Sequence, residues 1–504
     1  MNLTFKIIVL YFARMREEQL IPLAPILVES TRSIGYTFES ALADIIDNSL
    51  SVNATIIEVE YASQAANAYL CVVDNGVGMG KEELRAAMRY GSRSSLEARS
   101  SADLGRFGLG MKTASMSQCR ELTVVSKKGG KLSAAVWDLD YVIEKSDWII
   151  KEFSEVEINN LGIPTLGELK KFDSGTLVMW RRFDRLEHSA KDFNGSFLDK
   201  VNLSRDHVAL VFHRYISGDS FSEPIKIYFN REPVAAIDPF LTTHPGTQPL
   251  EDRRIRIDES EILVKPYILP YISKISEKYL SYLGQKEDLK KNQGFYLYRN
   301  KRLIAYGTWF GLHRQYELEK LTRIRVDIPS ELDSLWSIDI KKSTAILPDK
   351  IRKNLIEIIA NSVPKSKREL TYKGRKTSSP DIKTAWYEVE NRGAFHYKIS
   401  RDTSLFKLVE SHIDESGLKY MEAFLRDLED QLPYIPVYKN IAESKVYDEI
   451  PQISEDEILL LAESNIEMLV SSGFSESDAI AMISNEYTYS RYPSVIAALK
   501  ERLK

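Results

Sequence analysis

Three short segments of this 504-residue chain combine residue types that could do chemistry. In the first, Asp44-Ile45-Ile46-Asp47-Asn48, the outer residues stand four apart and share a face if the segment is helical. Asn48 offers a neutral oxygen that suits a magnesium ion keeping most of its waters. Asp44 is then placed to orient or deprotonate a water nearby. The second segment, Asp74-Asn75-Gly76-Val77-Gly78-Met79, presents a carboxylate that can accept a hydrogen bond from an exocyclic amine such as that of adenine. Its glycines let a flat ring approach the backbone closely. In the third, Leu104 to Met116, Gly105, Gly108 and Gly110 precede Met111-Lys112-Thr113. Backbone amides of such a loop, with the N-terminus of the helix it opens, make an anion site. Together they are parts to hold a metal, read a base and cradle phosphates, which is a nucleotide site.

Each segment taken singly has a plainer reading. Asp44 and Asn48 could lie on a solvated helical stripe, and Asp-Asn-Gly is good turn chemistry. The third segment is not a P-loop, because Met111 stands where its lysine belongs and no apolar strand runs directly into Gly105.

The elements that must position these residues follow from periodicity. Phe38, Leu42, Ile45, Ile46 and Leu50 recur at helical spacing over 36–50. Strands are expected at 55–61 and 69–73, and a short helix at 81–90. Positions 91–103 are serine-rich, polar and aperiodic, which reads as a mobile loop. A helix should begin near Gly108, followed by strands at 121–126, 131–139 and 175–180 and by helical sequence over 196–216. A second unit opens with a strand at 225–230, continues through 262–269, 294–299 and 323–328, and closes with a helix over 348–360. A basic stretch at 364–381 reads as a linker. The remainder is helical in pattern, for example 456–471 and 476–485, and there is no internal repeat.

The ordered set of motifs resembles the GHKL ATPases (gyrase B, Hsp90, histidine kinases, MutL) and, within them, the MORC-type branch. The first helix is similar to the family's Glu-x-x-x-Asn motif, the second segment to its Asp-x-Gly-x-Gly motif, and the third to its glycine-rich lid hinge. The run from Gly105 to Met116, followed by Val124-Val125-Ser126-Lys127, is what resembles MORC. Ser174-Gly175-Thr176 is similar to the last ATP-site motif. The resemblance implies an α+β protein with a Bergerat-type α/β sandwich over 20–217, after an extension at 1–19. An S5-like β-α-β transducer would span 218–363, followed by the linker at 364–381 and a mainly helical region at 382–504. It implies ATP and Mg2+ as ligands, with Asp44 as catalytic base and Asn48 holding the metal. Asp74, Gly76, Gly78, Met79, Gly105, Gly108, Leu109, Gly110, Met111, Lys112 and Thr176 would surround the nucleotide, Thr176 near the adenine. Gly294 to Ile304 resembles a transducer strand pair, downstream of which a lysine reaches the γ-phosphate; Lys342 is the choice, with Lys341 beside it. Such a cation would stabilise charge leaving the terminal phosphate. In one respect the chain departs from the family: its catalytic glutamate is Asp44 here, one methylene shorter.

Composition bounds the remaining choices. Hydrophobic residues make up 43% of the chain and charged residues 28%, ordinary for a globular protein with real cores. Cys71 and Cys119 lack metal-ligand spacing and read as buried thiols in a reducing compartment. The apolar run from Leu3 to Ala13 falls short of the roughly 20 residues a membrane span needs and has no small-residue cleavage site after it. A dispensable extension on a cytoplasmic protein is the expectation. Net charge is only -4, but between Lys341 and Lys376 eleven Lys or Arg face three acids, while 441–504 holds twelve acids against five bases. That asymmetry suggests either a nucleic-acid surface or an electrostatic match between tail and linker.

Four functions compete. One is an ATP-driven clamp, with DNA as its expected substrate, that forms a homodimer when ATP closes a lid at 91–104. A compact MORC-like ATPase of this kind resembles bacterial members found beside restriction or anti-phage genes, with protein partners encoded nearby. A histidine kinase would require a phosphoacceptor helix pair ahead of the first motif, where no histidine occurs. An Hsp90-like chaperone would require a larger second domain. A non-enzymatic, nucleotide-gated interaction module is the alternative that the Asp44 departure keeps open. The clamp, a slow ATPase, is the leading expectation.

Overall fold

The computed structural model describes residues 22–33, 35–64, 67–90, 110–218, 223–276, 280, 289–332, 336, 347–371, 383–391, 394–434, 436–437, 440 and 453–501. The chain divides into two compact units, Met1–Ser366 and Lys367–Lys504. The fold is α+β, as expected, with mixed sheets and a helix-rich second unit.

In the first unit, helix α1 (Ala24–Arg32) leads to α2 (Phe38–Ser51). Helix α2 begins at a capping box in which Thr37 and Ser40 exchange side-chain and backbone hydrogen bonds. Strands β1 (Ile56–Ala62) and β2 (Tyr69–Asp74) follow, then helices α3 (Lys81–Met88) and α4 (Gly110–Gln118). Next come β3 (Glu121–Lys128), β4 (Lys131–Asp138), β5 (Lys151–Phe153) and β6 (Gly175–Arg181). Helix α5 (Phe193–Val211) precedes β7 (Lys226–Phe229) and β8 (Glu232–Pro233). The eight strands form one sheet in the order β5-β4-β3-β6-β2-β1-β7-β8.

Both faces of this sheet are covered, and side-chain alternation decides which residue goes where. Leu70, Val72, Leu122, Val124, Val178 and Trp180 pack in one core with Phe38, Leu42 and Ile45 of α2 and with residues of α4 and α5. Their alternates Cys71, Val73, Val125, Leu177 and Met179 pack in another with Ile158, Ile163, Leu166 and Leu169. Trp180 anchors the first core: its ring meets Phe38 edge-on at 5.8 Å, and its indole N–H donates to Ser115 Oγ at 2.8 Å.

A second sheet comprises β9 (Gln248–Pro249), β10 (Arg253–Ile257), β11 (Ser260–Ile268), β12 (Gly294–Arg299), β13 (Arg302–Thr308) and β14 (Thr322–Ile328). Its path is β10-β11-β14-β12-β13, with β12 and β14 parallel. Helix α6 (Asp349–Thr371) packs Ile351, Leu355, Ile358, Ile359 and Val363 on this sheet's core.

Two expectations needed correction. The strand expected to open the second unit is β7, and it belongs to the first sheet. It runs parallel to β1, with Ile57 opposite Ile227 and Val59 opposite Phe229. Its own pattern announces a half-buried strand, but periodicity does not say which sheet edge a strand joins. The helix expected over 348–360 runs on to Thr371 through Pro364. A proline inside a helix costs about 3 kcal/mol, and the helix is held ahead of it by the buried Ile358, Ile359 and Val363 and after it by buried Ser366, whose hydroxyl donates to Leu318 O at 3.4 Å. In the second unit, a hairpin of β15 (Trp386–Asn391) and β16 (Ala394–Ile399) stands among helices that include Glu455–Ser471 and Glu476–Ser484. Among the described residues, no helix is long and apolar enough to cross a membrane. Both cysteines are buried and free.

The Trp180 contacts predict a graded loss. Trp180→Phe keeps a ring but strands the Ser115 hydroxyl, costing about 1–3 kcal/mol. Trp180→Ala also empties the core, costing about 3–5 kcal/mol. Urea unfolding of the two variants beside the parent measures both, and a Trp180→Phe variant as stable as the parent would remove the hydrogen bond from the account.

Candidate functional site

The helix-facing series on the first sheet turns polar at one end. Leu70 and Val72 are followed two residues on by Asp74, Leu122 and Val124 by Ser126, and Trp180 and Val178 are preceded by Thr176. Register sets the three polar residues side by side, because Asp74 pairs with Thr176 across β2 and β6, and Ser126 pairs with Thr176 across β3 and β6. A layer that is oily along most of its length therefore ends in a carboxylate and two hydroxyls.

Asp74 is 5% exposed, and both its oxygens are engaged. Oδ2 accepts from Ser49 Oγ of α2 at 2.8 Å. Oδ1 accepts the N–H of Gly76 at 2.9 Å and that of Thr176 at 3.3 Å. Burial pushes the Asp74 carboxyl up from its ordinary value, opposed by the hydrogen bonds from Gly76, Ser49 and Thr176. Ser126 Oγ accepts the Met79 N–H at 2.7 Å and lies 2.9 Å from both Gly175 O and Thr176 Oγ1. These bonds hold the turn after β2 against β3 and β6.

The glycines of that turn are sterically required. Gly78 has φ +66°, and a Cβ there would lie 2.0 Å from Lys127 O. At Gly76 a Cβ would meet Val52 Cγ2 at 2.5 Å. The backbone passes too close to its neighbours for any side chain.

Helix α2 forms a second wall. It is buried on nearly every side, and of positions 41–50 Asn48 is the exposed one. Its amide is free to meet a ligand beside residues that are not. Asp44, 3% exposed, accepts from the Tyr36 hydroxyl at 2.9 Å. It also faces the start of α4, where a Cβ on Gly110 would lie 3.8 Å from Asp44 Oδ2. Gly110 and Met111 thus open α4 next to the carboxylate, and the first N–H groups of a helix have no partner within it. Lys112 is placed differently. Its ammonium donates to Ala87 O at 2.7 Å, near the C-terminal end of α3, and burial pushes it down to about 8. What Lys112 offers the start of α4 is backbone, while its side chain ties α4 to α3.

The structure accordingly brings Asp44, Asn48, Gly110 and Met111 onto one wall and Asp74, Gly76, Gly78, Met79 and Thr176 onto the other. Ser49 joins the two. Gly105, Gly108, Leu109, Lys341, Lys342 and the expected lid at 91–104 lie outside the described residues. Ser49, Tyr36 and Arg302, which reaches Asp47 from β13, were missed. Ser126 entered only as part of a motif, although its place two beyond Leu122 and Val124 was a usable signal. Arg302, far along the chain, gave none. Among the described residues no group of three or more His, Cys, Asp or Glu could hold a metal. The donor that fits one is the exposed Asn48 amide, which suits a hydrated ion completed by phosphate oxygens.

Comparison with known proteins agrees with this geometry. Residues 36–176 match the family described as histidine kinase-, DNA gyrase B-, and HSP90-like ATPase, an interval running from Tyr36 to Thr176. The chain is 32% identical over 95 residues to ATPase morc-1 of Caenorhabditis elegans, covering 19% of this chain and 11% of that protein. It is 33% identical over 97 residues to ATPase MORC2B of Mus musculus, covering 18% of this chain and 9% of that protein. The chain thus spans about a tenth of the length of these relatives. The GHKL resemblance holds over 36–176, whose fold is that of a GHKL-type ATP-binding domain, and the MORC-like resemblance holds over the 95 to 97 residues matched.

The raised Asp74 carboxyl predicts a pH signature. Because the folded state holds that proton more tightly than the unfolded chain, ionising Asp74 costs stability as pH rises above its usual 3.8. Asp74→Asn has no such cost. Its Tm relative to the parent should be more favourable at about pH 7 than at about pH 4, and a difference independent of pH would contradict the burial effect.

Proposed function

We propose that this protein binds Mg-ATP between the two walls, hydrolyses it slowly, and acts as an ATP-gated dimeric clamp on DNA. The observation that carries the reading is Asp74, a buried carboxylate held by three donors beside a turn that only glycine can make. Such a group, fixed and partly screened from water, is suited to an adenine amino group and discriminates against a base bearing a carbonyl there.

The other residues take roles that their surroundings support. The Asn48 amide oxygen would hold the metal, which when bound neutralises phosphate charge. The N–H groups at the start of α4, which have no partner within the helix, would receive phosphate oxygens. Asp44 would take a proton from a water whose oxygen attacks the terminal phosphorus, while the bond to the bridging oxygen breaks and ADP leaves with phosphate. Asp44 is the shorter acid, so the water must sit nearer α2, and turnover should be slow. Lys342 is proposed as the cation that meets charge leaving the terminal phosphate.

Support for DNA comes from the second sheet. Helix α6 exposes Lys350, Arg352, Lys353 and Lys365. Where its start meets the edge strand β10, a cleft of about 310 Å³ is lined by Arg254, Arg256, Lys350, Asn354 and Asp258. Cations along a helix and an adjacent edge suit a phosphodiester backbone. Support for a dimer comes from the start of α1, where Ile26 and the capping residue Leu23 are each 64% exposed. A second copy would cover them once ATP favours the closed form.

Nucleotide chemistry is tested by calorimetry and turnover. ATP and ADP should bind with magnesium, and GTP weakly. Asp44→Ala should keep ATP affinity but lose hydrolysis by about 10²–10⁴-fold, whereas Asn48→Ala should lose magnesium-dependent binding. Equal affinity for GTP and ATP would overturn the adenine assignment, and an inactive parent would favour a non-enzymatic, nucleotide-gated module.

The clamp is tested by light scattering and DNA retention. A non-hydrolysable ATP analogue should double the mass of the parent. DNA retention should fall steeply with salt and little with sequence. Reversing Arg256, Lys350, Arg352, Lys353 and Lys365 to Glu should reduce retention and flatten its salt slope, leaving the analogue-induced dimer intact. A mass indifferent to nucleotide would reject the clamp, and unchanged retention would reject this surface.

A further inference from the structure

Arg302 has no role in the reading above, yet it is buried next to the candidate base. It opens β13 directly after the two-residue turn Asn300-Lys301, whose φ angles are 47° and 67°. Turns of this left-handed kind match the strand twist and leave little freedom in the residue that follows. The hairpin is anchored to the first sheet's helical layer, where His213 Nε2 lies 2.7 Å from the Tyr298 hydroxyl and the Tyr215 hydroxyl donates to Asn300 O at 2.5 Å.

From that base the Arg302 side chain crosses to α2. Its Nε lies 2.7 Å from Asp47 Oδ2 and 2.8 Å from Oδ1, and its Nη2 lies 3.7 Å from Asp44 Oδ1. The three side chains are between 1% and 4% exposed. The guanidinium carbon sits 5.6 Å over the Phe212 ring. Burial pushes neighbouring His207 down to about 4, the Arg302 charge adding to the shift, so that histidine brings no second cation here near neutral pH. A buried guanidinium with two carboxylates is rarely kept for stability, since apolar packing of the same volume serves as well or better. Here it joins a strand of the second sheet to the helical turn that carries both Asp44 and Asn48.

We propose that Arg302 is a positioning residue: by gripping Asp47 and facing Asp44 it sets where α2 presents the Asp44 carboxylate, and so makes hydrolysis depend on the placement of the β12–β13 hairpin. The inference rests on Asp44 being the base. It makes Arg302 the route by which a shift of the second sheet would reach the reacting water. Nucleotide binding through Asp74 lies on the other wall and should be spared.

The test uses the full chain with Arg302→Met, Asp47→Asn, Arg302→Lys and the double variant Arg302→Met/Asp47→Asn. Each single neutralisation unbalances the buried charges and should lower Tm. The double variant removes charge from both partners and should recover most of it. In the double variant, affinity for an ATP analogue should stay within about threefold of the parent while kcat falls about 10–100-fold, the scale of a displaced catalytic group. Arg302→Lys should restore part of kcat. A double variant with parental kcat would overturn the inference, as would a loss confined to KM. Asp44→Ala turning over at the parental rate would overturn the base assignment and the inference with it. An inactive Asp44→Ala beside an active double variant would overturn the inference alone.

Discussion

A carboxylate taken out of water must find donors in the protein, and three such groups fix this structure around helix α2. Asp74 is answered by Ser49 from that helix and by backbone N–H groups from the turn after β2 and from β6. Asp44 is answered by Tyr36, ahead of the helix, and Asp47 by Arg302 from the second sheet. No one element supplies its own partners. The helix, the first sheet and the β12–β13 hairpin can each satisfy their buried charges only when all three are in place, so the site is organised by the same bonds that assemble the unit.

That dependence explains how a soft-looking turn can hold a rigid carboxylate. The strands leading to it are buried on both faces, and only at their ends does the helix-facing side change from aliphatic to polar. Gly76 and Gly78 then let the chain pass within van der Waals limits of Val52 and Lys127. Groups held in this way need little reorganisation to meet a charged or hydrogen-bonding ligand, which is what electrostatic recognition requires. The exposed Asn48 is the complementary case, an amide left unburied on a helix otherwise enclosed.

Much of the fold was legible because its signals are local. The helix carrying Asp44 and Asn48 and the strand ending at Asp74 follow from apolar spacing, and so do the paired strands around Val124 and Val178. The extended helix α6 was not legible, because Pro364 reads as a stop until Ile358, Ile359 and Val363 find a sheet to cover. The same holds for β7, whose alternation is clear but whose partner, β1, lies far away in sequence. On the site, residue types and glycine spacing pointed to nucleotide chemistry. The direction of the Lys112 side chain could not be read, since it depends on the end of α3 arriving within reach.

By itself, then, the sequence determined which residues were chemically equipped, in what order, and on which periodic elements, because hydrophobic spacing and glycine geometry act over a few residues. Only the tertiary structure decided which equipped residues meet. It set Ser126 and Thr176 beside Asp74 through strand register, turned Lys112 toward Ala87, and brought Arg302 to Asp47 across 255 positions of chain. The physical reason is that a buried charge accepts any donor of suitable geometry, whatever its distance in sequence. Which donor arrives is settled by the packing of whole elements, and no local pattern encodes it.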